Sequence, residues 1–405
     1  MVERDRGRYG RHGCVEVQTL ARARAFTMTT PPLILHVIHH LQMGGMENGL
    51  VNLINRMPAA RYRHAIACVE DYSDFRERLT HPAVEVFPLY RSRHGVWGLR
   101  RSLFNLCKQL RPTIVHSRNQ SGLDALLPAT LASVPYRVHG EHGWDMDDIG
   151  GTRRKPALLR RLHAPLVSRY ITVSKDLEHY LINRIGIRAQ RITQIYNGVD
   201  VARFNPLTPK SRAWLPASFQ REDLLLIGSV GRAQEVKDQA TLIQAFADLI
   251  TAHSALRATL RLTIVGDGPM LATLRAQVTK LGLRDLVYLP GALNAIPEVL
   301  SSLDVFVLPS LNEGISNTLL EAMAAALPVV ATAVGGNLEL IESGNTGAFF
   351  APRDTAALSR LLHAYATDAG LRRRHGDAGR QIAVSRYSLN AMVEQYVNVY
   401  DALCR

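Results

Sequence analysis

The side chains best placed to do chemistry lie in the stretch PSLNEGISNTLLEAMAAALPVVAT, residues 309–332. Its pattern predicts a strand, a loop carrying Glu313 and Gly314, and then a helix from about residue 316 to about residue 326. The N-terminus of such a helix favours an anion such as a diphosphate, and Gly314 lets the backbone approach it closely. Glu313 and Glu321 could accept hydrogen bonds from sugar or ribose hydroxyls, although Glu321 fits equally well as an ordinary surface acid.

A second group of polar residues follows the strand predicted at 224–232, where GRAQEVKD contains Gly231, Arg232 and Lys237. Cations at the carboxyl end of a strand could neutralise the charge of a leaving diphosphate. The alternative is that both are solvated loop cations.

The first strand is followed by QMGGMEN, which contains Gly44, Gly45 and Glu47. Paired glycines in this turn would allow a backbone amide to reach an acceptor or a donor phosphate. The turn is not the G-x-G-x-x-G fingerprint of dinucleotide-binding proteins, and neither GSVGR nor GDGPML supplies that fingerprint. A hydride-transfer enzyme is therefore disfavoured.

The stretch VHGEHGWDMDD, residues 138–148, holds the densest set of polar side chains. His139, His142, Asp145 and Asp147 could be taken for metal ligands, but short spacings of this kind are common by chance and no fourth ligand is evident. We interpret His142, at the end of a strand, as a polar group beside a transferred sugar, and we predict no metal site.

Strands that alternate with helices must position these residues, and this alternation is typical of parallel sheets covered on both faces. The rhythm breaks once, in a proline-containing stretch of mixed charge, so the sequence predicts two Rossmann-like α/β domains that face an interdomain cleft. The predicted divisions are a disordered leader at 1–30 that reflects a misassigned start codon, a first domain at 31–204, a linker at 205–223, a second domain at 224–385, and a C-terminal helix at 386–405 that packs back on the first domain.

Composition limits the class of protein and its partners. The 405-residue chain is 47% hydrophobic, has four widely spaced cysteines and no apolar run long enough for a membrane span, which indicates a reduced, cytoplasmic protein. The net charge of +13 calls for phosphate-bearing substrates, nucleic acid or an anionic membrane as partners. Nucleic acid is disfavoured because no stacking aromatics interleave the arginines.

Taken together, the motifs resemble glycosyltransferase family 4, the retaining enzymes of GT-B fold. The resemblance runs from about residue 33 to the C-terminus, and it rests on GG-x-E, NGVD (197–200), GR-x4-K (231–237), VGDGP (265–269) and PS-x2-EG-x6-EAMA (309–324). A weaker resemblance links GGMEN and HGEHGWD to the sugar transferases associated with bacterial exopolysaccharide and exosortase systems. The chain departs from the family in having GRAQEVKD where a leucine and a glycine are more usual.

The resemblance implies roles for individual residues. Arg232 and Lys237 would bind the diphosphate, Glu321 the ribose and Glu313 the donor sugar, while His142 would be the active-site histidine. No metal or other cofactor would be required. The full donor-binding set predicted from these motifs comprises Arg232, Lys237, Gly266, Glu313, Gly314, Ile315, Ser316, Asn317 and Glu321.

The expected reaction moves a sugar from a UDP- or GDP-sugar to a glycan or lipid-linked acceptor in bacterial polysaccharide synthesis. Two other classes stay open, which are a catalytically inactive peripheral membrane subunit and a sugar-nucleotide epimerase. The arginine-rich stretches at 91–101 and 153–161 predict contact with the anionic inner face of the plasma membrane, and the equal alternative is a cytoplasmic enzyme whose charge only aids solubility. The residues expected to make that contact are Trp97, Leu99, Leu103, Phe104, Arg153, Arg154, Arg160 and Arg161.

Overall fold

Two fully parallel sheets form the framework of the chain. The computed structural model describes residues 30–81, 83–144, 148, 150–207 and 210–405, so nearly all of the predicted leader lies outside the described residues. The first sheet has the strand order β3-β2-β1-β4-β5-β6-β7 and the second has the order β10-β9-β8-β11-β12-β13. Their strands are β1 Leu33–Ile38, β2 Arg63–Cys68, β3 Glu85–Pro88, β4 Ile114–Arg118, β5 Tyr136–Glu141, β6 Arg169–Thr172, β7 Ile192–Gln194, β8 Leu225–Val230, β9 Leu260–Val265, β10 Val287–Gly291, β11 Val305–Leu308, β12 Val329–Thr332 and β13 Gly347–Phe350.

Helices cover both faces of each sheet, as parallel strands require. They are α1 Gly45–Arg56, α2 Arg91–Leu110, α3 Asn119–Gly122, α4 Leu126–Leu131, α5 Arg154–His163, α6 Lys175–Tyr180, α7 Gln239–Ala252, α8 Leu271–Lys280, α9 Ile296–Ser302, α10 Asn317–Ala324, α11 Asn337–Leu340, α12 Thr355–Thr367, α13 Ala369–Arg386 and α14 Leu389–Cys404. The predicted fold class, with two Rossmann-like domains, is confirmed.

Alternate residues of β1 pack into two different hydrophobic clusters, one on each face of the first sheet. Leu35 and Val37 pack with Leu99 of α2 on one face, whereas Ile34 belongs to a cluster on the other face that includes Met392 of α14. Every residue of β1 is buried, including the polar His36, so the strand has no solvent-facing side that the sequence could reveal.

The predicted linker at 205–223 is a packed segment in this structure. Leu215 and Phe219 are buried with Leu226 of β8 in the core of the second domain. The segment that follows the last strand then crosses between the domains, since α13 packs on α10 of the second domain and α14 lies beside α1 of the first. Both chain crossings are therefore held by buried apolar side chains.

A layer of polar side chains lies buried between the first sheet and α14. The Arg118 guanidinium, only 1% exposed, donates to Nδ1 of His36 at 3.1 Å, and the Tyr400 hydroxyl bonds Nδ1 of His116 at 2.7 Å. Burial, and then the charge of Arg118, holds the pKa of His36 and of His116 well below the ordinary value. These imidazoles are therefore neutral partners of a buried cation.

The structure corrects part of the predicted membrane-contact set. Leu99 and Leu103 are 0% and 1% exposed, because they form the core-facing stripe of α2. Arg160 is also buried, and its Nε donates to Oε1 of Glu141 on β5 at 2.6 Å. These three residues anchor α2 and α5 to the sheet and face away from solvent. Among the described residues, no helix is long and apolar enough to cross a bilayer.

The Glu141–Arg160 pair makes a testable contribution to stability. Burial alone would raise the pKa of Glu141, but Arg160 and His139 together lower it to about 2. The stabilisation is therefore fully present above the ordinary pKa of 4.5 and is lost as the pH falls toward 2. We expect Glu141→Gln to lower the free energy of unfolding by about 3–5 kcal/mol at pH 7 and by much less at pH 3, measured by urea denaturation.

The control for this measurement is Asp223→Asn, which breaks an exposed pair with Arg221. That pair is solvated, so its loss should not change the unfolding curve measurably. An equal effect of Glu141→Gln at pH 7 and at pH 3 would show that the ion pair is not the source of the stabilisation.

Candidate functional site

The carboxyl ends of the two sheets face each other across a cleft that contains a cavity of about 440 Å³. Residues from both domains line it, including most of those singled out in the sequence. The predicted site residues in its lining are Gly44, Gly45, His142, Arg232, Lys237, Glu313, Ile315, Ser316, Asn317 and Glu321. Glu47, Gly266 and Gly314 were also predicted as site residues, but they do not line this cavity.

The N-terminus of α10 opens into the cleft. Ser316 caps it, because its Oγ accepts the N–H of Leu319 at 3.3 Å, and the segment has no acidic side chain in its first turn. The remaining N–H groups of that turn, from Asn317 and Thr318, belong to residues that line the cavity. A helix end in this position offers hydrogen-bond donors and a positive dipole end to an anion.

Lys237 and Glu313 are joined across the same end of the cleft. The Lys237 ammonium lies 2.6 Å from Oε1 of Glu313, and the Ser310 hydroxyl donates to that oxygen, also at 2.6 Å. Glu313 is 9% exposed, so its carboxylate depends on these two partners. Lys237 and Glu313, which the sequence placed in two separate loops, therefore form a partly buried ion pair.

Gly266 and Gly314 allow backbones to come close together. Gly266 has φ +145°, and a Cβ there would lie 1.9 Å from the carbonyl oxygen of Gly231, the residue before Arg232. A Cβ on Gly314 would lie 3.0 Å from Cα of Gly143, which belongs to the other domain. The first glycine shapes the loop that carries Arg232, and the second permits contact between the two walls of the cleft.

Glu321 lies one turn along α10 from Asn317, on the same side of the helix. Burial raises the pKa of Glu321 to about 7, although the charges of Arg203 and Arg78 oppose that shift. Both arginines line the cavity, one from the loop before the linker and one from the first domain. Neither arginine was predicted from the sequence, because nothing in the spacing of two arginines 125 positions apart indicates that the charges of both act on Glu321.

The GG turn begins α1 with an extended residue, since Gly44 has φ −162°. The Glu47 carboxylate curls back over it, so that a Cβ on Gly44 would lie 2.2 Å from Oε2. Burial raises the pKa of Glu47, while its own N–H and the charge of Arg232 across the cleft act in the opposite direction. Glu47 therefore lies over the turn, where the charge of Arg232 in the second domain also acts on its carboxylate.

Glu47 also lines a second cavity, of about 550 Å³, in the first domain. Met46 contributes to both cavities, so the second cavity adjoins the cleft. Its other lining residues are mostly polar. They are His39, Arg91, Asn119, Gln120, Ser121, Asp124, Asp148, Arg153, Pro156 and Leu159.

His142 lines the cleft with its imidazole folded inward. Its backbone N–H donates to Oδ1 of Asn119 at 2.7 Å, while Nε2 is buried above Gly140, where a Cβ would lie 2.6 Å from it. Burial, together with the charge of Arg118, lowers the pKa of His142 to about 3. The imidazole is neutral at physiological pH and is not an acid that could donate a proton there.

The remaining residues considered as metal ligands in the sequence are His139, Asp145 and Asp147. His139 is buried on β5 with its Nε2 3.4 Å from Oε1 of Glu141, and Asp145 and Asp147 lie outside the described residues. Within the part of the chain that the structure describes, no three His, Cys, Asp or Glu side chains are grouped to hold a metal ion.

Two family models match consecutive parts of the chain. One, described as Glycosyltransferase Family 4, matches residues 43–203, and the other, described as Glycosyl transferases group 1, matches residues 211–382. The division between them falls within five residues of the start of the predicted linker and coincides with the division between the two sheets.

Individual proteins are similar over long stretches. The chain is 27% identical to the Bacillus subtilis protein EpsF over 304 residues, which is 73% of this chain and 78% of EpsF. It is 29% identical over 249 residues to an Escherichia coli UDP-Gal:α-D-GlcNAc-diphosphoundecaprenol α-1,3-galactosyltransferase, covering 60% of this chain and 63% of that enzyme. The crystal structure of Anabaena HepE with UDP and glucose superposes with a TM-score of 0.76 at 20% identity, covering 92% of this chain and all of HepE, which shows a shared fold.

The raised pKa of Glu321 predicts a cost to stability. The folded protein holds a proton that the unfolded chain releases above its ordinary pKa of 4.5, so this group destabilises the fold as the pH rises through that value toward 7 and beyond. We expect Glu321→Gln to raise the free energy of unfolding by about 1–3 kcal/mol at pH 8 and by less than about 1 kcal/mol at pH 5. Urea denaturation at the two pH values measures this.

Glu394→Gln, at an exposed position of α14, is the matched control and should have no effect at either pH. A Glu321→Gln protein that is no more stable than the wild type at pH 8 would contradict the assignment of a desolvated carboxyl.

Proposed function

Since the chain belongs to glycosyltransferase family 4, we propose that it transfers a sugar, with retention of anomeric configuration, from a UDP- or GDP-sugar to a glycan or lipid-linked acceptor. The observation that carries the proposal is the convergence of an α10 N-terminus, Arg232 and Lys237 on one cavity between two domains. This combination suits a diphosphate, because cations and aligned N–H groups act together on its charge.

The same groups would stabilise the transition state. As the anomeric carbon separates from the diphosphate, negative charge grows on the phosphate oxygen nearest the sugar. Lys237 is held by Glu313, and Arg232 lines the same cavity, so both cations lie at the cleft before the donor arrives. We propose that they take the place of a divalent metal ion, so that transfer needs no cofactor.

We propose that configuration is retained by a front-face attack, which needs no carboxylate nucleophile. Glu313 accepts from Lys237 and Ser310, which makes it a poor nucleophile and a suitable acceptor for hydroxyls of the donor sugar. Glu321 lies one turn further along α10, in the position where a ribose would follow a diphosphate seated at the helix end. On this proposal the leaving phosphate itself receives the proton of the attacking hydroxyl.

The acceptor would occupy the polar cavity of the first domain. This cavity adjoins the cleft at Met46, and carboxylate, amide and hydroxyl side chains such as Glu47, Gln120 and Ser121 line it. Such a lining suits a carbohydrate, whose hydroxyls need donors and acceptors in equal measure. An acceptor hydroxyl in this cavity would reach the donor past the Gly44–Gly45 turn.

Two alternatives are an inactive membrane subunit and an epimerase. An inactive subunit has no need of the Lys237–Glu313 pair or of the destabilising burial of Glu321, both of which the cleft keeps. An epimerase would need no acceptor cavity beside the cleft, whereas this structure has one of about 550 Å³. The transferase is therefore the function that the site supports best.

The direct test incubates the protein with labelled UDP- and GDP-sugars, total bacterial lipid extract and glycan acceptors, with and without EDTA. We expect a labelled, α-linked product from one nucleotide class, formed at the same rate after chelation. Release of an isomeric nucleotide-sugar would favour the epimerase. Activity that EDTA abolishes and Mn²⁺ restores would overturn metal independence and point to Asp145 and Asp147.

The two cations of the cleft should differ in their effect on folding. Arg232→Ala and Lys237→Ala should each lower kcat/KM by about tenfold to a hundredfold, since each removes a charge-assisted hydrogen bond to the diphosphate. Lys237→Ala also leaves the buried Glu313 carboxylate without its counter-charge, so it alone should lower the unfolding midpoint. Steady-state kinetics and thermal denaturation of both variants measure this, and full activity of either would refute the diphosphate assignment.

We also propose that the first domain rests on an anionic membrane, which would present a lipid-linked acceptor. The helices α2, α4 and α5 expose a group of large apolar side chains, here called the apolar surface, of which Trp97 is 81% exposed and Leu162 66%. Exposed arginine and lysine side chains lie on α2 and α5 as well, and a surface that binds an anionic membrane needs such cations. The apolar surface comprises Trp97, Leu127, Leu131, Leu158 and Leu162, and its cations are Arg93, Arg101, Arg154, Lys155 and Arg161.

Co-sedimentation with phosphatidylglycerol vesicles should detect this contact. Replacing Arg154, Lys155 and Arg161 by Gln should weaken binding markedly, since each cation near the surface contributes about 1 kcal/mol. The matched control replaces the exposed Arg360, Arg373 and Arg374 of the second domain by Gln, which removes the same charge and should not matter. Equal recovery of the wild type in the supernatant with anionic and with neutral vesicles would refute the proposal.

A further inference from the structure

The side-chain amide of Asn317 connects the two helix ends that face each other in the cleft. Its Nδ2 donates to the carbonyl oxygen of Gly45, the first residue of α1, at 3.0 Å. Its Oδ1 accepts from Nδ2 of Asn197 at 2.9 Å. Both ends of the amide are therefore engaged within the protein, although Asn317 lines the cavity and was predicted to bind the donor.

Asn197 is itself held by the C-terminal segment. It opens the NGVD turn, in which the N–H of Val199 donates to the carbonyl of Tyr387 at 2.7 Å, and the N–H of Leu389 returns a bond to Val199 at 3.0 Å. The next residue, Gly198, has no room for a side chain, since a Cβ would lie 2.9 Å from Cα of Leu389. The turn is thus fixed before its amide reaches Asn317.

The approach of α1 to Asn317 is equally close. A Cβ on Gly45 would lie 3.3 Å from Nδ2 of Asn317, tighter than an ordinary contact, so glycine at this position permits the hydrogen bond. The carbonyl of Gly45 would otherwise have only its intrahelical partner, and it has a second lone pair to offer. The three residues form a chain of hydrogen bonds from the NGVD turn, through α10, to the start of α1.

We propose that Asn197 and Asn317 are positioning residues that hold the Gly44–Gly45 turn over the donor site, and that neither side chain binds the donor nucleotide. This inference rests on the proposed function, because it assigns the first domain a part in the transfer step. The nucleotide contacts proposed above all come from the second domain. The hydrogen bonds made by the side-chain amides of Asn197 and Asn317, here called the bridge, would fix the position of the first domain, with its acceptor cavity, relative to the anomeric carbon of the donor.

The bridge explains a motif that the catalytic proposal leaves unused. No side chain of NGVD (197–200) has a part in the proposed chemistry. Asn197 contributes an amide that can donate to Asn317 and to the carbonyl of Ile315 at 3.5 Å, and Gly198 allows the turn to pack on α14. An aspartate or serine at 197 could not make the first of these bonds in the same geometry.

The test compares Asn317→Ala, Asn197→Ala and the double variant in transfer kinetics, in the Kd of UDP or GDP, and in small-angle scattering without ligand. We expect kcat to fall about tenfold or more in both single variants, because misplaced reactants lose much of the advantage of proximity. The nucleotide Kd should stay within about twofold of the wild type. The double variant should be no worse than Asn317→Ala, since both substitutions break one chain of bonds.

The matched control is Asn345→Ala, which removes an exposed amide that donates to Glu342 within the second domain at 2.9 Å and should leave every measurement unchanged. A nucleotide Kd at least tenfold weaker in Asn317→Ala, with Asn197→Ala normal, would overturn the proposal and make Asn317 a donor ligand. Unchanged kcat in both single variants would also overturn it.

Scattering separates this inference from the proposed function. If no donor is turned over by any variant, the bridge still predicts a larger radius of gyration for Asn317→Ala and Asn197→Ala than for the wild type and Asn345→Ala. Identical scattering from all four proteins would show that the amide chain does not hold the domains together.

Discussion

The relative placement of the two sheets depends on the return of the C-terminal segment to the first domain. The apolar face of α14, with Met392 and Tyr396, completes the core beneath β1, β4, β5 and β6, and α13 packs on α10 in the second domain. Arg380 of α13 strengthens this crossing by donating to the carbonyls of Phe204 and Val201. Buried apolar side chains hold both chain crossings, and the carboxyl edges of both sheets face one cavity, where the ligands of parallel sheets bind.

The cleft combines charges whose burial is costly. Glu313 is stabilised by Lys237 and Ser310, whereas Glu321 has its pKa raised to about 7 by burial with only the more distant charges of Arg203 and Arg78 to oppose it. A ligand that donates hydrogen bonds to Glu321 would relieve the cost of burying that carboxyl. Such a site is less stable when empty, which is a common property of sites built for binding.

The buried layer beneath the cleft sets the properties of His142. Arg118 lies on β4 with neutral imidazoles as its partners, and its positive charge adds to the effect of burial in keeping His116 and His142 unprotonated. Tyr400 of α14 completes the layer through its bond to His116. The crossing helix therefore contributes to the floor of the cleft as well as to the placement of the domains.

The sequence by itself determined the fold class and identified residues of the second domain that meet at the cleft. Apolar runs of strand length that alternate with helices admit few architectures besides parallel sheets, and the residues from Glu313 to Glu321 lie on one continuous strand, loop and helix, so their spacing in the chain fixes their spacing in the site. Arg232 and Lys237 were identifiable for the same reason, since both lie in one short loop after β8.

Tertiary structure alone decided what depends on distant segments. Arg160 was indistinguishable in sequence from its exposed neighbour Arg161 until β5 placed Glu141 beside it. Asn317 was predicted to bind the donor, and only the return of the chain placed Asn197 and Gly45, which are 120 and 272 positions away, at the two ends of its amide. Local pattern reports the periodicity of a helix or strand, but a side chain's partner across a domain boundary is fixed only when the cores have packed.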